Sequence, residues 1–258
     1  MRRFARCMLV ASSCILGLAL VSRAGGDREA DAIIAKAIKA HLGDNKSDAK
    51  RGYKGKSKGT LHILGMEFEF TQEITLEIPK RFKEVINMTI RGENAVMGQN
   101  VIVKSVFDGK KAWIRVNDKD IDVDEDLLAE FKEAVNLMGI SQGIFVRNKS
   151  LKLSLLGEVQ VNGKPALGVK VSKKGKDVNY YFDKATGLTA KVERRAKDFM
   201  NGKEVTEERI ITEYQKVSGR QSPKKMLINR DGKKFLEAEV LETQFLDRID
   251  DKEFAKPE

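Results

Sequence analysis

Between Met66 and Ile78 the side chains alternate with a period of two. Met66, Phe68, Phe70, Ile74, Leu76 and Ile78 share one parity, and Glu67, Glu69, Thr71, Glu73, Thr75 and Glu77 share the other. A helix would scatter these residues around its circumference. A β-strand sorts them onto one dry face and one wet face, so this stretch demands an antiparallel sheet whose apolar side is covered by something else. Gln72 is the one polar residue on the dry parity. After Pro79-Lys80 the alternation resumes through Phe82, Ile86, Met88 and Ile90, then through Val101, Val103 and Phe107, where Asp108-Gly109 turns the chain into Lys111–Val116. Further turn dipeptides, Asn162-Gly163, Lys174-Gly175, Asn201-Gly202 and Asp231-Gly232, separate runs such as Leu151/Leu153/Leu155, Val169/Val171 and Tyr180/Phe182. The spacing predicts about ten or eleven strands.

Two segments break the period. Asp27–Leu42 carries Ala30, Ile33, Ile34, Ala37, Ile38, His41 and Leu42 at helical spacing and stops at Gly43. Glu125–Met138 does the same with Leu127, Leu128, Phe131, Ala134, Val135 and Met138, with Asp124 as N-cap and Gly139 as terminator. The lysine-rich stretch from Asp44 to Gly59 reads as a loop entering an exposed strand edge. Many hairpins and two helices give a mainly β, α+β fold: a single curved antiparallel sheet, an incomplete barrel covered by two amphipathic helices, with a concave interior.

The N-terminus reads as a targeting segment. Arg2, Arg3 and Arg6 precede an apolar run from Cys7 to Val21, and Ser22-Arg23-Ala24 ends in small residues suited to a signal peptidase. This predicts a cleaved signal peptide at 1–24, one domain over 25–258, and a periplasmic location. A lipid anchor on Cys14, after Ala11-Ser12-Ser13, is the alternative. Cleavage removes both cysteines of the chain and four arginines, taking the formal charge from +10 to +6. Thiol catalysis, disulfide stapling and thiolate metal sites are then excluded, and an exported chain of that mild charge is not expected to meet nucleic acid.

Motifs for covalent chemistry fail on context. Gly139-Ile140-Ser141-Gln142-Gly143 imitates a hydrolase elbow, but a helix precedes Ser141 where a strand is needed, and both His41 and His62 lie upstream. Gly55-Lys56-Ser57 lacks the first glycine of a phosphate-binding loop, that position being Lys50. Asp118, Asp120, Asp122, Asp124 and Asp126 alternate, but a calcium loop would need glycine at Val123 and glutamate at Ala129. Each histidine reads as structural. No enzyme activity, cofactor or metal is expected.

Binding is the remaining class. Met66, Phe68, Phe70, Met88, Ile90, Trp113, Leu127, Phe131 and Met138 are the candidates for an apolar cavity between sheet and helices, methionine being suited to irregular ligands. Lys54, Lys56 and Lys58 share a strand parity and are candidates for contact with lipid head groups or an acidic partner. The charged Glu193–Arg209 hairpin is a candidate surface for an envelope protein partner.

Specific residues then look familiar. Leu76-Glu77-Ile78-Pro79-Lys80-Arg81-Phe82, Phe107-Asp108-Gly109-Lys110-Lys111-Ala112-Trp113, Tyr181-Phe182-Asp183-Lys184-Ala185-Thr186-Gly187-Leu188 and the closing Ile249-Asp250-Asp251-Lys252-Glu253-Phe254-Ala255-Lys256-Pro257 occur in an order that resembles the LolA/LolB-like outer-membrane lipoprotein-sorting family. The resemblance spans residues 27–257. It implies an eleven-stranded incomplete barrel with helices over its mouth, whose cavity takes the acyl chains of lipoproteins or another lipid in the periplasm. It also implies an early-strand arginine that closes the cavity; Arg51 and Arg81 are both outside a clear match. The same fold without carrier activity, as an envelope interaction or stress-sensing module, is the alternative function.

Overall fold

The computed structural model describes residues 23–43, 52–63, 65–78, 80–91, 100–141, 151–173, 176–197 and 203–257. Residues 1–22 of the expected signal segment, Cys14 among them, lie outside these, as do Lys46, Lys50 and Arg51, whereas Arg23 and Ala24 are described and helical.

The chain forms helix α1 (Arg23–Leu42), strands β1 (Gly52–Ile63), β2 (Met66–Glu77), β3 (Arg81–Arg91), β4 (Asn100–Phe107), β5 (Ala112–Val116) and β6 (Lys119–Ile121), and helix α2 (Glu125–Ser141). Strands β7 (Lys152–Val161), β8 (Lys164–Lys173), β9 (Lys176–Asp183), β10 (Thr189–Lys197), β11 (Glu204–Val217), β12 (Arg220–Arg230) and β13 (Lys233–Leu246) follow, and a 3₁₀ turn over Asp251–Phe254 is the last element. All thirteen strands join one antiparallel sheet in the order β6-β5-β4-β3-β2-β1-β13-β12-β11-β10-β9-β8-β7. The sheet is not closed, since β6 and β7 stand at its two ends.

This is the expected fold class with a larger sheet than the ten or eleven strands expected. A three-residue ladder such as β6 carries too little alternation to be counted from sequence. β1 also corrects an expectation. It pairs Gly52–Ile63 with β2 on one side and Gly52–Leu61 with β13 on the other, so it is an interior strand rather than an edge. Its lysines misled because one face of an interior strand is still wet when the sheet is covered on one side only. Its inward parity holds Gly55, Ser57 and Gly59, and a Cβ on Gly59 would run into the Glu237 carbonyl and the Phe70 ring. Small residues are needed where Phe70 lies over β1.

Gly43 stops α1 as expected, at φ +60° with its N–H bonded to the Lys39 carbonyl at 2.9 Å. Asp124 caps α2, its carboxylate accepting from the Leu127 N–H at 2.8 Å. α2 runs on to Ser141 with Gly139 inside its last turn, so that glycine does not terminate it. Both helices lie on the concave face. α1 buries Ala30, Ile33 and Ala37 against Val169, Val178, Tyr180, Phe182 and Val192 of β8–β10. α2 buries Phe131 and Val135 against Leu76, Phe82 and Phe107, with Tyr53 and Phe245 in the same cluster. On the convex face Trp113, Val106, Ile249 and Phe254 form a separate small core beneath the C-terminal turn.

Candidate functional site

Between the region under α2 and the opposite ends of the strands, the concave face encloses a cavity of about 750 Å³, within the range of small-molecule pockets. Period-two alternation builds it. Met66, Phe68, Phe70, Gln72, Ile74 and Leu76 are the inward parity of β2; Glu84, Ile86 and Met88 continue on β3, and Val101 and Val103 on β4. The other wall comes from Glu207, Arg209 and Ile211 on β11, Met226, Ile228 and Arg230 on β12, and residues of β13. The sheet therefore curls far enough for strands well separated in order to face one cavity.

Met66, Phe68, Phe70 and Met88 line the cavity, with Met66 exposed and Phe70 buried. Ile90 pairs with Phe68 in register, and its side chain, like that of Met138, lies outside what is described. Leu127 and Phe131 pack between α2 and the sheet rather than facing the cavity; the Phe131 and Phe82 rings are 5.8 Å apart. Trp113 lies on the opposite face of the sheet, because its parity on β5 is that of Arg115 and not of Ala112 and Ile114. Lys54, Lys56 and Lys58 lie on the convex side. Lys54 pairs with Glu253 at 2.6 Å, Lys56 lies 3.5 Å from Glu73 and 3.8 Å from Glu242, and Lys58 is opposite Thr71 and Glu239. Carboxylates interleave with these lysines, so no uniform basic patch forms.

The cavity also holds a belt of polar residues on the buried parities. On one wall Ser57 donates to Gln72 at 2.8 Å, and Gln72 donates to Glu84. Burial pushes the Glu84 carboxyl above its ordinary range, outweighing the Gln72 hydrogen bond and the Arg209 charge that pull it down. On the other wall Glu207 receives three guanidiniums: Arg209 at 3.0 Å, Arg230 at 3.2 Å and Arg194 at 3.4 Å. Burial would raise Glu207, but those three charges hold it at about 2. Arg194 also donates to Glu130 of α2 at 3.1 Å, and Lys197 pairs with Asp126, so α2 is tied by charge to β10 while its apolar face packs on β3 and β4.

The charged hairpin thus divides by parity. Glu193 and Glu208 meet Lys191 at 2.8 Å each on one face, whereas Arg194, Glu207 and Arg209 turn into the concave interior. The segment is therefore not the single outward surface expected from its charge. The available signal was that Arg194 lies between Val192 and Ala196, and Glu207 and Arg209 between Val205 and Ile211, on buried parities.

Other candidates have structural settings. His41 is buried on α1; its Nε2 accepts from the Thr189 N–H at 3.2 Å, which leaves Nδ1 to donate to the Gln221 carbonyl at 3.4 Å. Burial lowers its pKa to about 4, against the small opposing effect of the Gln221 bond. His62 is half-buried, 3.5 Å from Glu67. Among the aspartates, Asp120 pairs with Arg115 at 2.7 Å and Lys256 at 2.8 Å, and no cluster able to hold a metal occurs among the described residues. Arg81 bonds Glu77 and Asp251 at 2.7 Å each and stacks 4.5 Å from the Phe254 ring, pinning the C-terminal turn rather than the cavity. Ser141 ends a helix, the wrong context for a nucleophile elbow. No helix among the described residues is long and apolar enough to cross a membrane.

No family model and no curated protein matches this sequence. Solved structures do match. A DUF1329-family protein from Desulfovibrio piger aligns with 88% of this chain and 97% of its own, at a TM-score of 0.52 and 13% identity. A LolA-superfamily protein from Nitrosomonas europaea aligns over 88% and 97%, at a TM-score of 0.50 and 12% identity. The thirteen-stranded open sheet with helices on its concave face is therefore a LolA-like fold.

Proposed function

We propose that this protein binds the acyl chain of a lipid or lipoprotein in its concave cavity and shields it from water in the cell envelope. The observation that carries this reading is the cavity itself: about 750 Å³ of space bounded by Phe68, Phe70, Ile86, Met88 and Val101, with an exposed methionine, Met66, among its lining residues. Close-packed cores do not leave such a volume between apolar side chains. Burial of a chain contributes about 0.8 kcal/mol per CH₂, enough to hold one without covalent chemistry. In this reading residues 25–258 act after cleavage of the 1–24 signal peptide, in the periplasm, and α2 serves as the cover of the occupied site. Lipoprotein carriage is the activity that the LolA-like fold suggests.

The test is extraction and mass spectrometry of lipid from protein purified out of envelope extract, together with saturable displacement of a fluorescent apolar probe by single-chain lipids. Copurified acyl lipid and displacement are the expected results. Absence of both, or a stable protein partner captured without lipid, removes the carrier reading and leaves an interaction module.

A further inference from the structure

The polar belt gives the cavity a direction that an apolar pocket lacks. Arg209 lines the cavity and, among the described residues, spends only its Nε on Glu207, at 3.0 Å. Its two terminal amino groups have no hydrogen-bond partner among those residues, although its side chain is only 17% exposed. Those amino groups are open to the cavity space, and a guanidinium fork matches a planar or tetrahedral oxyanion with two parallel bonds.

The surrounding charges agree. Arg194 is answered by Glu130 as well as by Glu207. Arg209 and Arg230 share Glu207, whose two oxygens are both taken, Oε1 by Arg209 and Arg194 and Oε2 by Arg230. The next carboxyl, Glu84, is held toward its neutral form by burial. Arg209 is thus the guanidinium of this wall whose terminal amino groups turn to the cavity rather than to a carboxylate among the described residues, and a cation in so sheltered a place is stabilised by an anion that reaches it.

We propose that Arg209 is the head-group anchor of the cavity and that the ligand is an anionic amphiphile, its carboxylate or phosphate held by the two free amino groups and its chain lying along Phe68, Phe70 and Met88. This deepens the acyl-binding reading and rests on it. Neutral lipids of equal chain length would fill the same apolar space and leave the two amino groups without an anion.

The test compares palmitic acid, palmitoyl lysophosphatidic acid and hexadecanol as competitors for a fluorescent apolar probe, on the purified protein and on Arg209→Met. The expected result is that at least one acidic ligand binds about tenfold or more tightly than the alcohol, as a charged hydrogen-bonded pair requires. Arg209→Met should abolish that preference while alcohol binding persists, which also reports an intact fold. A preference confined to palmitic acid assigns the head as carboxylate, and one confined to the phosphate ligand assigns it as phosphate. Equal binding of acids and alcohol to the unaltered protein, or a preference that survives in Arg209→Met, overturns the anchor and leaves the acyl cavity standing. Binding of none of the three overturns both.

Discussion

Arg194 and Glu130 meet at 3.1 Å, joining β10 to a helix whose apolar side is embedded against β3 and β4 on the other arm of the sheet. The guanidinium is only 9% exposed and also contacts Glu207. The contact is thus a tie across the concave face, better screened from solvent than the neighbouring Lys197–Asp126 pair, whose members are largely exposed.

Loss of this tie should loosen α2 more than it unfolds the sheet. Glu130→Ala is expected to cost the helix about 1–3 kcal/mol of local stability, the worth of a charged hydrogen bond. Hydrogen exchange of the α2 amides should accelerate about fivefold or more at that cost, with β8–β10 unchanged. Equal acceleration in both regions would show that α2 opens only by global unfolding.

Glu207 is the keystone of the three-arginine cluster, so Glu207→Gln should be among the most damaging single changes. It leaves three guanidiniums facing a neutral amide, and breaking a buried pair in this way costs about 3–5 kcal/mol. A drop in chemical-denaturation stability of that size is expected. A variant within 1 kcal/mol of the parent, on the roughly 1.4 kcal/mol-per-decade scale, would mean that the cluster is wet rather than buried.

Acid should act in two windows. His41 has a folded-state pKa of about 4 against an ordinary 6.5, so the unfolded chain binds its proton more tightly. The stability given by the neutral ring is complete above pH 6.5, erodes as pH falls, and is lost by about pH 4, amounting to roughly 3 kcal/mol. Glu207 is depressed from 4.5 to about 2, so its contribution is present above pH 4.5 and is lost between there and pH 2. Thermal melts of His41→Gln should start lower at pH 7.5 and lack the decline between pH 6.5 and 4.5. An unchanged slope in that variant would place the titration elsewhere.

Filling the cavity should separate binding from folding. Met88 borders open space, so Met88→Trp is expected to leave the melting temperature nearly unchanged and to weaken apolar-probe binding about tenfold or more, the reverse of overpacking in a filled core. A large fall in stability with binding retained would indicate that the space is not where the probe goes.

Much of this arrangement was legible from residue order. Met66 to Ile78 announced a half-buried strand, Gly43 and Asp124 marked helix ends, and both predicted helices formed where their apolar stripes required. Alternation tells which residues share a face but not which face is concave, so Trp113, the most conspicuous aromatic, was assigned to the cavity while it packs under the C-terminal turn. Helical periodicity similarly could not tell a cavity lining from a plug, which is the position of Leu127 and Phe131. The polar belt was the largest omission. Single charges on dry parities, Glu84 between Phe82 and Ile86 or Arg194 between Val192 and Ala196, look like interruptions until the curled sheet brings them opposite one another.

The open seam between β6 and β7 has a mechanical meaning. A closed barrel has its bore set by strand number and stagger. Here no ladder of hydrogen bonds completes the ring among the described residues, and the gauge of the interior is set by side chains reaching across it, Arg194 to Glu130 and Phe82 to Phe131 among them. Such a trough can widen or narrow by flexing its curvature without breaking a strand pair, which in the proposed acyl-binding role suits it to chains of unequal length and saturation.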